Sequence, residues 1–212
     1  IFKSGDRGAN WTPANAGLTA IQVSALAVDP QHGSTIYAAS WTRFFKSEDS
    51  GLTWRSSWGL PGLFVGPIVI DPQNPNTIYA GTGSQEDGFF RGDVFRSLDG
   101  GSSWSATSLR CDAANLAIDR LNSNTLYAGT ACGLYKTTDG GKAWVRIGQS
   151  LQDQMLFSMI LDRTKKGVIY LGGREGVHRS EDGGATWSTL NSGLATLNIR
   201  SLVQSPTDPQ VF

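Results

Sequence analysis

The chain has 212 residues, with 18 basic and 18 acidic side chains that cancel to zero net charge. That length allows one large domain or two small ones with a proper core, and the neutral balance argues against a protein whose main partner is nucleic acid, which needs a basic face to neutralise phosphates. No apolar run approaches the roughly 18 residues needed to span a bilayer, and no signal peptide, basic tail or low-complexity tract is visible.

The kinds of residue narrow the fold. The acids are 14 Asp and 4 Glu, the bases 12 Arg and 6 Lys, and there are 26 Gly and 21 aromatics. Helix-favouring Glu and Lys are scarce, whereas Asp and Gly favour turns and aromatics favour strands. The composition predicts an all-β chain. It opens on Ile1 rather than Met, as a processed product or a part of something longer would.

Taken in chain order, one phrase recurs. Ser4-x-Asp6-x-Gly8-x-x-Trp11 is followed by Ser47-x-Asp49-x-Gly51-x-x-Trp54 and Ser97-x-Asp99-x-Gly101-x-x-Trp104. Thr137-x-Asp139-x-Gly141-x-x-Trp144 and Ser180-x-Asp182-x-Gly184-x-x-Trp187 complete the set, with Trp-to-Trp intervals of 43, 50, 40 and 43 residues. Each copy suits a tight turn: Asp accepts N–H bonds from the residues after it, Gly supplies a positive φ, and Trp covers the neighbouring strand. These residues are turn formers before they are anything else.

Between the turns lies a second phrase. Ala25–Pro30 leads to Thr35–Ala38, Ile68–Pro72 to Thr77–Gly81, Leu116–Asp119 to Thr125–Gly129, and Met159–Asp162 to Val168–Gly172. Each reads as a hairpin. A third strand (Phe44–Lys46, Val94–Arg96, Leu134–Lys136, Val177–Arg179) runs into the Asp turn, and a fourth begins around each Trp. Four antiparallel strands every 40 to 50 residues are the unit of a β-propeller blade.

The repeats resemble those of the Asp-box (BNR-type) family, found in sialidases, the sortilin ectodomain, xyloglucan-degrading glycosidases and photosystem II assembly factors. The likeness covers essentially the whole chain, and the wording Ile-Asp-Pro…Thr-Ile-Tyr-Ala-Gly is most similar to the xyloglucanase and assembly-factor branch. It implies a propeller with the Asp turns opposite a ligand-binding mouth. It identifies a fold more sharply than an activity.

Complete blades are expected at about 23–57, 65–108, 113–147 and 156–190 in a single domain spanning 1–212. A first strand pair near 199–212 and a last pair near 1–12 predict a fifth blade shared between the termini, with Val211-Phe212 aligned to Ile36-Tyr37. A closed ring would remove open strand edges. The chain is then expected to be a monomer, unless it is a fragment of a longer propeller.

Function is expected on the mouth, formed by loops between strands two and three and between consecutive blades. Trp41, Arg43, Trp58, Phe89, Arg91, Asp112, Arg174 and Glu175 are the candidate ligand-binding residues, because exposed aromatics beside charged groups suit sugars or peptides. The loop from Gly83 to Asp93 is the longest, and it also carries Glu86, Asp87 and Phe90. Arg91-Gly92-Asp93 matches an adhesion tripeptide, although Gly92 aligns with Gly133 and Gly176. Pairing Ile118 with Thr125 puts Cys111 directly opposite Cys132, which makes a disulfide geometrically reasonable and an extracytoplasmic or secreted location the expectation. Ordinary loop decoration and two free thiols are the plainer alternatives.

Other residues fit structural roles. His178 occupies the slot of Phe2, Phe45, Phe95 and Tyr135, so it reads as a packed core ring, and His32 falls in a hairpin turn. Lys3, Lys46, Arg96, Lys136 and Arg179 form a column at one blade position, read as solvated or carboxylate-paired. Two Cys and two His make no zinc site, and no metal or cofactor is implied.

Three functions remain open: a non-catalytic module binding a glycan or protein ligand, a glycoside hydrolase, and a bare scaffold. Hydrolysis needs two facing carboxylates, for which the mouth offers Asp112, Asp153 and Glu175 outside the long loop. The resemblance implies that xyloglucanases draw theirs from two propellers and sialidases use an Arg triad. Here the Arg-Ile-Pro signature is absent, though Arg43, Arg91 and Arg174 could converge. Binding is the favoured reading.

Overall fold

The computed structural model describes residues 1–19, 22–41, 43–57, 60, 64–83, 92–151, 156–205 and 208. β1 (Phe2–Lys3) and β2 (Thr12–Pro13) pair in a two-stranded sheet. Four four-stranded antiparallel sheets follow, each laid down in chain order. The first holds β3 (Val23–Val28), β4 (Ile36–Ser40), β5 (Phe44–Ser47) and β6 (Arg55–Ser57), and the second β7 (Phe64–Ile70), β8 (Ile78–Gly83), β9 (Val94–Ser97) and β10 (Ser105–Ala106). The third holds β11 (Ala113–Ile118), β12 (Leu126–Thr130), β13 (Gly133–Thr137) and β14 (Val145–Ile147). The fourth holds β15 (Leu156–Leu161), β16 (Ile169–Gly173), β17 (Gly176–Ser180) and β18 (Ser188–Thr189). The inner strands β3, β7, β11 and β15 contact one another in sequence and jointly line a cavity of about 410 Å³. This is a β-propeller of four-stranded antiparallel blades.

The fifth blade is represented at both ends of the chain. β1 and β2 take the place of third and fourth strands, and Ile1 packs on the cluster of Ala38, Phe45 and Trp54. Trp54 donates from its backbone N–H to Ala16 O at 2.8 Å and from its indole to Ala14 O at 3.0 Å. Residues 199–205 follow the fourth blade as an inner strand would: Ile199 N–H reaches Gly173 O at 2.8 Å and Leu202 N–H reaches Ser158 Oγ at 3.0 Å. Those seven residues form no ladder. Val211 and Phe212, expected to pair with the N-terminal strand, lie outside the described residues.

The glycine two residues after the tyrosine has a packing cause at Gly81 and Gly172. A Cβ at Gly81 would lie 2.9 Å from Ala113 in the next inner strand, and one at Gly172 would lie 2.7 Å from Ile199. Glycine lets successive blades approach. The preceding tyrosines are sunk in the core, and burial pushes the hydroxyls of Tyr37 and Tyr127 up to about 12.

The column of bases is more than a solvated row. Lys46, Arg96, Lys136 and Arg179 lie 5.3 to 5.9 Å from the ring centres of Tyr37, Tyr79, Tyr127 and Tyr170. Carboxylates pair with two of them, Lys46 with Glu48 at 2.8 Å and Arg179 with Glu181 at 2.5 Å. Others reach across the blade junction: Lys3 Nζ donates to Ser50 O at 3.0 Å and Lys136 Nζ to Gly183 O at 3.2 Å. Four of the bases therefore stack on their own blade, and Lys3 and Lys136 tether the Asp turn of the next.

In the Asp turns, the Ser or Thr hydroxyl accepts the N–H of the Gly four residues on, at 2.7 to 3.0 Å. Each Asp accepts the N–H four residues on, at 2.8 to 3.0 Å. The Gly has φ between 85° and 94° in all five turns. The residue before it is also left-handed: Gly100, Gly140 and Gly183 in three turns, but Arg7 (φ 59°) and Ser50 (φ 61°) in the others. A left-handed non-glycine residue costs about 1–2 kcal/mol, partly offset by glycine's greater unfolded-state freedom. Ser50→Gly should therefore raise stability by about 0.5–1 kcal/mol, read as a higher urea midpoint at unchanged slope.

Those hydrogen bonds also set an acid limit. Asn10 N–H lowers Asp6 to about 2, the Thr53 hydroxyl lowers Asp49 to about 2, and the Ser103 hydroxyl lowers Asp99 to about 2. Asp139 and Asp182 are lowered by Ala143 N–H and the Thr186 hydroxyl respectively. With folded pKa values below the ordinary 3.8, this stability is present above pH 4 and lost as pH falls through about 2. A melting-temperature series should fall steeply below about pH 4, beyond a smaller decline that begins as pH drops below about 6.5, where the unfolded chain takes up a proton that buried His178 resists.

Candidate functional site

Register places the turns at two ends of the blades. In each blade the Asp turn bonds to the turn of the first hairpin: Ser50 N–H to Ser34 O, Gly100 to Asn76, Gly140 to Asn124, and Gly183 to Gly167, at 2.8 to 2.9 Å. Both turns therefore share one end. At the other end Val23 faces Ser40, Phe64 faces Gly83, Ala113 faces Thr130 and Leu156 faces Gly173. The mouth is built on this second end.

All four inner ladders slip register there, between Val23 and Ala25, Val65 and Ile68, Ala113 and Asn115, and Leu156 and Ser158. A bulge re-aims the side chains beside it. Phe157 sits in one of these bulges, and the Arg200 guanidinium lies 4.9 Å from its ring centre. Phe64 begins β7 and meets Trp41 edge-to-face at 5.7 Å between centroids, with both rings exposed. Sequence reasoning singled out Trp41 but missed Phe64, Phe157 and Arg200. Only their place at a strand start or beside a bulge marks them, and bulges leave no periodic trace.

The predicted residues distribute as follows. Arg43 is exposed next to Trp41 and donates to Thr19 Oγ1 at 3.2 Å. Asp112 accepts Gly92 N–H on its carboxylate at 2.6 Å, while its carbonyl accepts Ala131 N–H at 3.1 Å. Arg174 and Glu175 form the exposed two-residue turn between Gly173 and Gly176, held by Asn191 Nδ2 donating to Glu175 O at 2.9 Å. Trp58, Phe89 and Arg91, with Glu86, Asp87, Phe90 and Asp153, lie outside the described residues. The Asp93 carboxylate accepts N–H groups of Val94 at 2.7 Å and Leu109 at 2.9 Å and is buried, so it anchors strands and is not displayed as an adhesion acid.

Cys111 and Cys132 are joined in a disulfide with Cα atoms 6.2 Å apart. The register behind that expectation needs correcting. Ile118 faces Leu126, not Thr125, and the bulge between Ala113 and Asn115 restores the alignment that brings the two cysteines together. The disulfide flanks Asp112 and so braces the junction of the second and third blades.

The aromatic slots give one agreement, the packed ring expected at His178, and one correction, at Trp11. His178 faces Leu171 as Phe45 faces Ala38; it is buried, burial lowers its pKa, and its Nε2 has no hydrogen-bond partner among the described residues. Trp11, expected to cover a neighbouring strand, is exposed, unlike the buried Trp54. Among the described residues no group of three or more His, Cys, Asp or Glu could hold a metal ion, and no helix is long and apolar enough to cross a membrane.

No protein-family model and no curated protein matches the sequence. Solved structures do match in fold. A GH74 enzyme of Niastella koreensis superposes with a TM-score of 0.73 at 21% identity, over 91% of this chain and 34% of that one. An ancestral GH74 enzyme gives 0.68 at 23% identity, over 85% of this chain and 25% of that one. YCF48 bound to D1 peptide gives 0.65 at 17% identity, over 91% of this chain and 60% of that one. The chain thus spans between a quarter and three-fifths of these proteins. What it shares with them is the fold: a β-propeller of the kind found in GH74 enzymes and YCF48.

Proposed function

We propose that the chain is a non-catalytic propeller of the Asp-box type that holds a glycan or a protein segment against its mouth. The exposed pair of Trp41 and Phe64 carries this reading. Two aromatic rings set edge-to-face and left open to water supply rigid apolar area for a sugar face or an apolar side chain. Arg43 beside them, with Arg174 and Arg200, adds donors suited to hydroxyls and carboxylates. The five Asp turns support the Asp-box assignment, and the disulfide supports an extracytoplasmic location. Likeness to YCF48 bound to D1 peptide favours a protein segment, and likeness to GH74 enzymes favours a glycan.

A glycoside hydrolase is the second reading, supported by the GH74 likeness. It needs an acid and a second carboxylate facing each other across the scissile bond. Asp112 is committed to Gly92 N–H, which weighs against it as that acid. Glycan and peptide arrays, run beside turnover of aryl glycosides and polysaccharides, separate the readings. Trp41→Ala should weaken binding by roughly tenfold or more and leave the melting temperature unchanged. Turnover abolished in Glu175→Gln would establish the hydrolase instead, and an absence of binding in every format would overturn both.

A further inference from the structure

We propose that the cavity between the inner strands takes a small amphiphilic anion, an alkyl carboxylate whose chain lies among those strands and whose head is held by Arg120 and Arg163. The site lies at the end opposite the mouth and is independent of what the mouth binds.

The volume of about 410 Å³ falls within the roughly 300–1,000 Å³ of ligand pockets, which join apolar walls to a few polar groups. Ile68, Ile70, Ile118, Ile160 and Leu161 stand in these walls. Apart from Arg120, Asp162 and Arg163, every described lining residue is aliphatic or proline. Each inner strand runs directly into an Asp, and the residue after that Asp forms the rim: Pro30, Pro72, Arg120 and Arg163 in the four blades. These residues open the first hairpin turn, which places the rim beside the Asp turns.

The rim is uneven. Gln31 Nε2 donates to Pro72 O at 2.9 Å and Gln73 Nε2 to Arg120 O at 3.3 Å, lacing the first turn to the second and the second to the third. The third blade has Leu121 at that place, with no side-chain donor to carry the lacing on to the fourth. Bases gather in this unlaced sector. Arg120 and Arg163 are exposed, and neither guanidinium has a hydrogen-bond or ion-pair partner among the described residues. Lys165 and Lys166 line a smaller recess between the same two turns. The acids there are occupied by their own backbone. Asp119 accepts Leu121 N–H at 2.8 Å, and Asp162 accepts the N–H groups of Thr164 at 2.8 Å and Lys165 at 2.9 Å.

Four bases beside two committed carboxylates leave the opening positive, and two guanidiniums on adjacent blades suit the fork of a carboxylate. The apolar walls behind them favour an alkyl chain over a bare ion. The wall between β15 and β3 supplies neither Arg. Gln204, on that side, accepts the backbone N–H of Arg163 at 3.0 Å, not its guanidinium.

Calorimetric titration with decanoate, kept below its micellar concentration, should show one saturable site, and the methyl resonances of Ile118 and Ile160 should shift as it fills. Octanoate should bind about tenfold more weakly or worse, because each buried methylene is worth about fourfold in affinity. Arg120→Gln and Arg163→Gln should each weaken decanoate by roughly fivefold, with unchanged melting curves because both side chains are exposed. Decyltrimethylammonium, with the same tail and the opposite charge, should show no saturation. An affinity indifferent to chain length, to both Arg residues or to the sign of the head would overturn the proposal. So would an absence of decanoate binding, the result required if the rest of the fifth blade fills the cavity.

Discussion

Phe44→Ala is expected to destabilise the protein by about 3–5 kcal/mol, the range for deleting a large aromatic from a core that cannot collapse around the loss. Phe44 is almost fully buried, stacks on Tyr37 at 5.6 Å, and meets the edge of Trp104 in the next blade at 4.9 Å. A Cβ at Gly101 would lie 2.9 Å from its ring, so the turn of the second blade is moulded to it. The substitution opens a cavity at the junction of two blades, and rigid strands on both sides prevent it from closing. Chemical unfolding should show a lower midpoint. Phe64→Ala is the matched control: its ring is exposed, and its removal should change stability by no more than about 0.5 kcal/mol. A large loss in the control, or a small one at Phe44, would contradict the division between core and mouth aromatics.

Breaking the Cys111–Cys132 disulfide is expected to cost about 3 kcal/mol, the chain-entropy value for a loop closed over 21 residues. The double variant Cys111→Ala/Cys132→Ala should show this in its urea midpoint, and reductant should lower the wild-type midpoint to match. Cys111 is buried and Cys132 exposed, so a thiol has access to one sulfur and reduction needs no prior unfolding. The loss should also reach the mouth. Asp112 follows Cys111 directly, and with its neighbour released, the bonds it accepts from Gly92 and Ala131 N–H should loosen and exchange hydrogen faster. A double variant as stable as the wild type would remove the disulfide from any account of the fold.

Much of the scaffold was legible in the sequence because repetition multiplies weak signals. One Ser-x-Asp-x-Gly-x-x-Trp phrase is an ordinary turn, but five at near-constant spacing define a strand order and the ends of each blade. The four complete sheets run from Val23 to Ser57, Phe64 to Ala106, Ala113 to Ile147 and Leu156 to Thr189. Register was less legible. Ile118 was aligned to Thr125, one residue short of Leu126, because alternation of side chains reports a face and carries no mark of an added residue. The mouth was legible only in part. Loop residues such as Trp41 and Arg43 stand out by position, whereas Phe64, Phe157 and Arg200 lie in or beside segments that read as strand, and a bulge or strand end turns them outward. The role of the bases was half visible. Their periodicity showed in the sequence, but the tyrosine beneath four of them, and the next blade's carbonyl beyond Lys3 and Lys136, depend on how blades stack.

The two turns of each blade are tied together at one end only, by the N–H groups of Ser50, Gly100, Gly140 and Gly183. At that end a substitution disturbs two connections and the adjoining blade at once. Among the described residues the mouth carries no such repeated tie, and its loops already differ in length from blade to blade. Selection can therefore rewrite one rim of the molecule while the other is held constant, so a lineage of such chains could change what it recognises many times over without first having to become more stable.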